Sequence, residues 1–424
     1  MKLIILLSLF CCQIALAQLN NEEVVKIKQQ PLRVVMQEAE QLYEDGLYQE
    51  AYPYYTALKD MRKRSKTKNQ YRLGKTALAA KDYAISKKTL EPLLQKADEF
   101  PLIHYEYALS LKYQGDYVLA SQHFQSYIDN NNESKNQYID LAQQHLQTCQ
   151  KILKEREKTS NWTLGYFEDK EGEEATIYRA ITKMSKYDVG LIECQTPQGT
   201  CIKKIYPDNR IELLRGSVGN PIFNSSSPFI APDGETVYFA QQEIGKAEHK
   251  IFMGRLAANG EIIDIKKLGP NVNRVGYSST HPTLGITEHG QEVLYFASTL
   301  PGTQGGYDIW YSIRTIEGNF TRAYNLGTRI NGKGDDITPY YYQQANELYF
   351  SSEKPQGYGG LDVYKMTGEK KRWKEGAALQ LPNPVNSKGN DFHYKKTSAE
   401  SGSFSTNRKD GKEQMVKYKE NIGA

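Results

Sequence analysis

The sequence predicts a multidomain chain, α then β: an N-terminal helical solenoid followed by an antiparallel β-propeller of about five blades. Three observations carry this reading. A helical pattern recurs at offsets of 35 and 34 residues as far as about residue 157. A strand pattern recurs at 57, 54 and 54 residues beyond it. Between the two, "KEREKTSNW" marks the point where 3.6-residue periodicity gives way to alternation.

The chain opens with "MKLIILLSLFCCQIALAQ". Lys2, the apolar run Leu3 to Phe10 and the small-residue site Ala15-Leu16-Ala17 predict a cleaved signal peptide over 1–17. Cys11 and Cys12 follow bulky residues, which favours plain cleavage over lipid attachment. No later segment is apolar enough to cross a bilayer. The expectation is an exported, periplasmic protein held near the outer membrane by its partners. A net charge of +4 spread over 424 residues does not predict nucleic-acid binding, and no nucleic-acid partner is expected.

Export matters for the three remaining cysteines. Cys194 and Cys201 bracket the turn-like "QTPQGT" between two strand-like runs, so in an oxidising compartment a disulfide across the hairpin is expected. Cys149 sits on a helical face and reads as buried. No further ligands lie near these thiols, so no metal site is expected.

The helical region, 30–157, contains three segments that align without gaps: 39–55, 74–90 and 108–124. Gly46, Lys81 and Gly115 fall at one position, then Tyr48, Tyr83 and Tyr117, then Ala51, Ser86 and Ala120. This is a helix, a tight turn and a second helix, with small residues where the pair touches. Residues 136–157 read as one more amphipathic helix that caps the last repeat.

The β region, 161–424, carries a series of strands whose phenylalanines Phe239, Phe296, Phe350 and Phe404 set the period. A shared unit precedes three of them, "LGPNVN", "LGTRIN" and "LPNPVN", with Asn273, Asn331 and Asn386 in register. A worn first blade is legible from 174 to 216. "NWTLGYF" (161–167) is a spare strand, expected to close the ring on the last blade, with six blades or an open ring as alternatives. The Gly-rich "PGTQGGYDIW" and "PQGYGGLDVY" recur between strands rather than before a helix. They read as hairpin turns with glycine at positive φ, and Asp308 and Asp362 as acceptors for turn amides.

No catalytic constellation is legible, and no cofactor is expected. "RGSVGN" has Arg215 where a nucleophile elbow needs glycine. His281 and His289 lack a third ligand in sequence and read as solvent-facing strand ends.

Two resemblances follow from these motifs. The helical repeats resemble the tetratricopeptide repeat. Its pattern implies a protein-binding concave face of Met36, Tyr43, Lys68, Tyr71, Lys75, Tyr105 and Lys112, with Arg33 near its start. The β repeats resemble PD40 repeats, which are WD40-like and also occur in TolB-type periplasmic proteins. The best match is "SSSPFIAPDGETVYFAQ", through Ser227-Pro228 and Pro232-Asp233-Gly234. The combination resembles Bacteroidetes envelope proteins, some of them associated with OmpA-like domains and type IX secretion. An OmpA-like domain is not seen after these repeats. The resemblance implies a non-enzymatic scaffold or adaptor for outer-membrane or secretion-machinery proteins. The alternative is a module for glycan or peptidoglycan fragments, using Tyr307, Trp310, Tyr358 and Tyr364, whose bland reading is blade packing. A propeller hydrolase ranks third.

Overall fold

The computed structural model describes residues 22–61, 67–131, 137–156, 162–167, 177–287, 290–367, 378–409 and 411–420. The expected signal peptide, 1–17, and His289 lie outside them. The helices and the strands form two compact units.

The helical unit consists of α1 (22–28), α2 (Leu32–Glu44), α3 (Tyr48–Met61), α4 (Thr67–Ala79), α5 (Tyr83–Leu90), α6 (Ile103–Tyr113), α7 (Tyr117–Asn130) and α8 (Gln137–Arg156). Its hairpins α2–α3, α4–α5 and α6–α7 share one turn. Gly46, Lys81 and Gly115 all take positive φ, 76°, 62° and 82°. The next amide returns to the preceding helix each time, Leu47 to Leu42, Asp82 to Ala77 and Asp116 to Leu111. Asp82 and Asp116 then cap α5 and α7 through Ile85 N and Leu119 N. Ala51, Ser86 and Ala120 are fully buried where helices meet. The hydroxyl of Ser86 lies 2.8 Å from that of Ser110, which accounts for a polar residue at an otherwise alanine position. The arrangement is compatible with a solenoid. Along α8, Ala142, His145, Cys149 and Ile152 form the buried stripe.

The second unit is a five-bladed antiparallel propeller. Blade one is β2 (Ile177–Ile181), β3 (Gly190–Thr196), β4 (Gly199–Ile205) and β5 (Ile211–Leu213). Blade two is β6 (Ser226–Ile230), β7 (Thr236–Gln242), β8 (His249–Leu256) and β9 (Ile262–Lys267). Blade three is β10 (Ser279–Ile286), β11 (Glu292–Ser298), β12 (Asp308–Ile313) and β13 (Tyr324–Asn325). Blade four is β14 (Asp336–Tyr342), β15 (Glu347–Ser352), β16 (Asp362–Thr367) and β17 (Leu379–Gln380). Blade five is β18 (Asp391–Lys396), β19 (Ser401–Thr406), β20 (Gln414–Glu420) and, as its fourth strand, β1 (Trp162–Tyr166). The spare strand therefore closes the ring, Trp162 opposite Glu420 and Tyr166 opposite Val416.

The four periodic phenylalanines lie on the second strand of their blades and are at most 1% exposed. The periodic asparagines have a separate task. Asn331 accepts from Ile309 N at 2.8 Å and donates to Ile309 O at 3.0 Å. Asn273 does the same to Ile251, and Asn386 to Val363. Each clamps the third strand of its blade with a side-chain amide in place of a neighbouring strand.

The Gly-rich loops bear out the reading from sequence at Gly302, which takes a φ of 102°, and correct it at the paired glycines. None of Gly305, Gly306, Gly359 and Gly360 has positive φ. A Cβ on Gly306 would stand 2.1 Å from Asp335 Oδ1, and one on Gly360 would stand 2.0 Å from Asn390 Oδ1. These glycines are required because the next blade packs against them. Asp335 and Asn390 accept from Tyr307 N and Leu361 N, and the amides of Asp336 and Asp391 donate back to Tyr307 O and Leu361 O. Asp308 and Asp362 do accept turn amides, from Gln304 and Gly359.

Candidate functional site

The first strands of the five blades, β2, β6, β10, β14 and β18, line one axial cleft. Each carries a register shift at the same point. In four of them the bulged residue takes positive φ: Ser227 54°, His281 51°, Thr338 50° and His393 53°. Proline follows the first three. A bulge re-aims a side chain, and a β-branched residue such as Thr338 at positive φ holds strain of about 1–3 kcal/mol. Four strands therefore turn polar side chains toward the axis at a cost in backbone energy.

The cleft encloses about 330 Å³ including the solvent at its mouth, while its narrow inner part holds about one water. Pro228, Pro282 and Pro339 form apolar walls. The His281 and His393 rings face each other at 5.5 Å. Burial above all, then the nearby cationic and imidazole groups, pushes His281 down to about 3 and His393 well below its usual range, so both are neutral at pH 7. Lys395 donates to Ile181 O at 3.2 Å. Burial lowers its ammonium to about 8, against the charge of Glu193.

Behind the cleft lies a buried ion cluster. Arg179, 4% exposed, pairs with Glu413 and lies 3.8 Å from Glu193. Glu193 also accepts from Ser227 N at 2.6 Å. Burial raises both carboxyl groups, against the charge of Arg179. Ser405 Oγ approaches His393 Nδ1 to 3.5 Å but gives its proton to Arg179 O, so the pair is not arranged as nucleophile and base.

The sequence reading missed Arg179, Glu193, His393, Lys395 and Glu413, and His281 is corrected. It is 8% exposed on the axis, not a solvent-facing strand end. One signal was available: Ser227-Pro228, His281-Pro282 and Thr338-Pro339 recur at the blade period.

The expected ligand aromatics are elsewhere. Trp310, Tyr358 and Tyr364 are 6%, 1% and 4% exposed, and Tyr364 stacks on Phe350 at 5.8 Å. Tyr307 is half-buried, its backbone held by the Asp335–Asp336 stitch. They are blade packing, not a ligand face. Cys194 and Cys201 stand directly opposite on β3 and β4, yet no disulfide joins them. The Cys194 thiol donates to Cys201 O instead, and both side chains fill the core between blades five and one.

In the helical unit, Arg33 and Lys68 are exposed, and Lys68 Nζ is 3.7 Å from Glu40. Met36 packs against the core. Tyr43 lies under the Arg72 guanidinium at 4.5 Å and edge-on to Tyr48. Lys75 stands 4.9 Å over the Tyr48 ring and 3.4 Å from Glu106. Three residues are corrected. Tyr71 is buried in a stack with Phe100, Tyr105 is buried among Phe124, Tyr127 and Tyr138, and Lys112 is wholly buried with Nζ 3.2 Å from His145 on α8. They are core groups rather than contacts on an open face.

No family model matches this sequence, and no curated protein does. Solved structures match the propeller. TolB from Acinetobacter baumannii matches with 14% identity and a TM-score of 0.34, over 57% of this chain and 54% of that one. The GH43 endo-arabinanase from Bacillus licheniformis matches with 13% identity and a TM-score of 0.41, over 57% and 94%. A thermostable family-43 glycoside hydrolase matches with 10% identity and a TM-score of 0.40, over 59% and 92%. The chain spans about half the length of the TolB structure. The expectation that this chain is not an enzyme is corrected here: two of these three similar structures are glycoside hydrolases, and the lack of a sequence motif does not exclude catalysis. Among the described residues, no helix is long and apolar enough to cross a membrane.

Proposed function

We propose that this chain is an exported envelope adaptor that binds protein partners through both repeat units. The helical unit acts as a tetratricopeptide-type platform and the propeller takes an extended segment at its axis. One observation carries the reading: four separate strands spend backbone strain to turn polar side chains into one narrow, apolar-walled cleft. Its inner part admits a chain end more readily than a sugar ring, and the aromatics that would stack on glycan are buried in the blades. The signal-peptide pattern at 1–17 and the resemblance to TolB-type repeats support the periplasm as location, and outer-membrane or type IX secretion proteins as partners.

The test is site-specific photo-crosslinking in the native envelope. The crosslinking residue replaces Phe229 at the cleft, and separately Arg33 or Lys68 on the helical unit. The reading expects discrete protein adducts from the cleft and from at least one helical position. Recovery of muropeptides or glycan in place of protein overturns it.

A further inference from the structure

We propose that the axial cleft is a carboxylate-binding site: Lys395 pairs with the acid group of an extended ligand, and the hydroxyls of Ser227 and Thr283 with the imidazoles of His281 and His393 complete its hydrogen bonding. This rests on the reading that the propeller binds at its axis, and it specifies the chemistry recognised there.

The first argument is the unused capacity of the lining. An ammonium carries three donors. Among the described residues, Lys395 uses one, to Ile181 O, and no carboxylate lies within ion-pair distance of it. Ser227 Oγ and Thr283 Oγ1 find no hydrogen-bond partner in the protein, although these residues are only 7% and 1% exposed. A buried polar group left in this state is destabilising, so it marks a place where a partner is missing.

The second argument is charge. Two acids lie near the cleft, and both are already engaged. Glu413 is held by Arg179, and Glu193 by Arg179 and the Ser227 amide. No acid lines the cleft itself among the described residues. An incoming carboxylate therefore meets a half-buried cation and neutral donors, a setting that favours a charge-assisted bond. A phosphate dianion would bring two charges to one cation in the same confined space.

The third argument is size. The inner cleft has room for about one water, which suits the tip of a carboxylate, while the proline walls suit the chain behind it. Two sources share this chemistry: the free C-terminus of a protein, and a small organic acid.

The test is calorimetric titration of the full mature chain with three probes. These are acetyl-Ala-Ala-Ala with a free carboxyl, the same peptide as its C-terminal amide, and propionate. The acid peptide is expected to bind about tenfold or more tightly than the amide, a difference typical of a lost charge-assisted bond. Lys395→Met should erase that preference and Lys395→Arg should keep part of it, while Ser227→Ala and Thr283→Val should each weaken the acid severalfold. Binding of the peptide without propionate assigns the site to a chain end, and comparable binding of propionate assigns it to a small acid. Equal affinity for acid and amide overturns the carboxylate assignment but leaves peptide binding at the axis standing. So does an acid affinity unchanged by Lys395→Met. Absence of heat from every probe also overturns it, and the crosslinking from Phe229 then decides the partner reading on its own.

Discussion

Replacing Asn331 by alanine should unfold the propeller more readily by a predictable amount. The side chain makes two bonds to one residue, at 2.8 Å from Ile309 N and 3.0 Å to Ile309 O. Ile309 is fully buried, so alanine leaves a donor and an acceptor with no solvent to turn to. Each such group costs about 1–3 kcal/mol, which places the loss near 3 kcal/mol, a large share of the roughly 5–15 kcal/mol typical of a domain. Urea denaturation followed by tryptophan fluorescence is the suitable assay. Trp162, Trp310 and Trp373 all lie beyond residue 161, so the signal reports the propeller rather than the helical unit. Asn273→Ala and Asn386→Ala should lose similar amounts, because the same clamp recurs. A loss below about 1 kcal/mol at unchanged m-value would refute the reasoning, by showing that water replaces the amide in the cavity.

Three further outcomes are expected. Lys81→Gly should stabilise the helical unit by up to about 1 kcal/mol in thermal denaturation, since Lys81 holds the left-handed turn that glycine holds at 46 and 115. Gly360→Ala should destabilise the propeller by about 1–3 kcal/mol, because the added carbon meets the Asn390 side chain. Asp336 is lifted from 3.8 to about 7, chiefly by burial and against bonds from Ser352 and Gly332 and the charge of Lys354, with Asp308 adding to the rise. Stability from the neutral acid is complete below its unfolded value and is lost as pH rises through 7. Asp336→Asn should therefore be more stable than the parent by about 2–4 kcal/mol at pH 8 and equal to it near pH 3, in urea titrations at both pH values.

How much of this was legible follows from how each feature is written in the chain. The blades, their boundaries and the closing strand announce themselves because one set of packing constraints is solved repeatedly at a fixed spacing. Phe239, Phe296, Phe350 and Phe404 need the same pocket, and Asn273, Asn331 and Asn386 the same clamp. The turn at Gly46, Lys81 and Gly115 was legible for the same reason. Gly305, Gly306, Gly359 and Gly360 of the blade loops were found but misread, since their constraint comes from a neighbour about 30 residues later rather than from their own φ. Burial of Tyr71, Tyr105 and Lys112 could not be read from the repeat, because it depends on Phe100, Phe124 and α8 closing over them. The axial site was least legible. Arg179, His281 and His393 look like unrelated polar residues on unrelated strands until the ring brings them to one axis.

The pairing of β1 with β20 has a consequence for how the molecule is made. Trp162 and Glu420 meet across nearly the whole length of the β region, so the last blade stays one strand short until synthesis has passed its final ladder residue. A contact this distant in sequence is slow to form, and until it does β20 presents a bare edge. During synthesis the chain emerges with β1 early and its partner last. The propeller therefore carries a built-in check on completeness: a chain cut short before β20 leaves β1 without a partner and β19 with a bare edge, open to aggregation and to proteolysis, rather than a smaller ring.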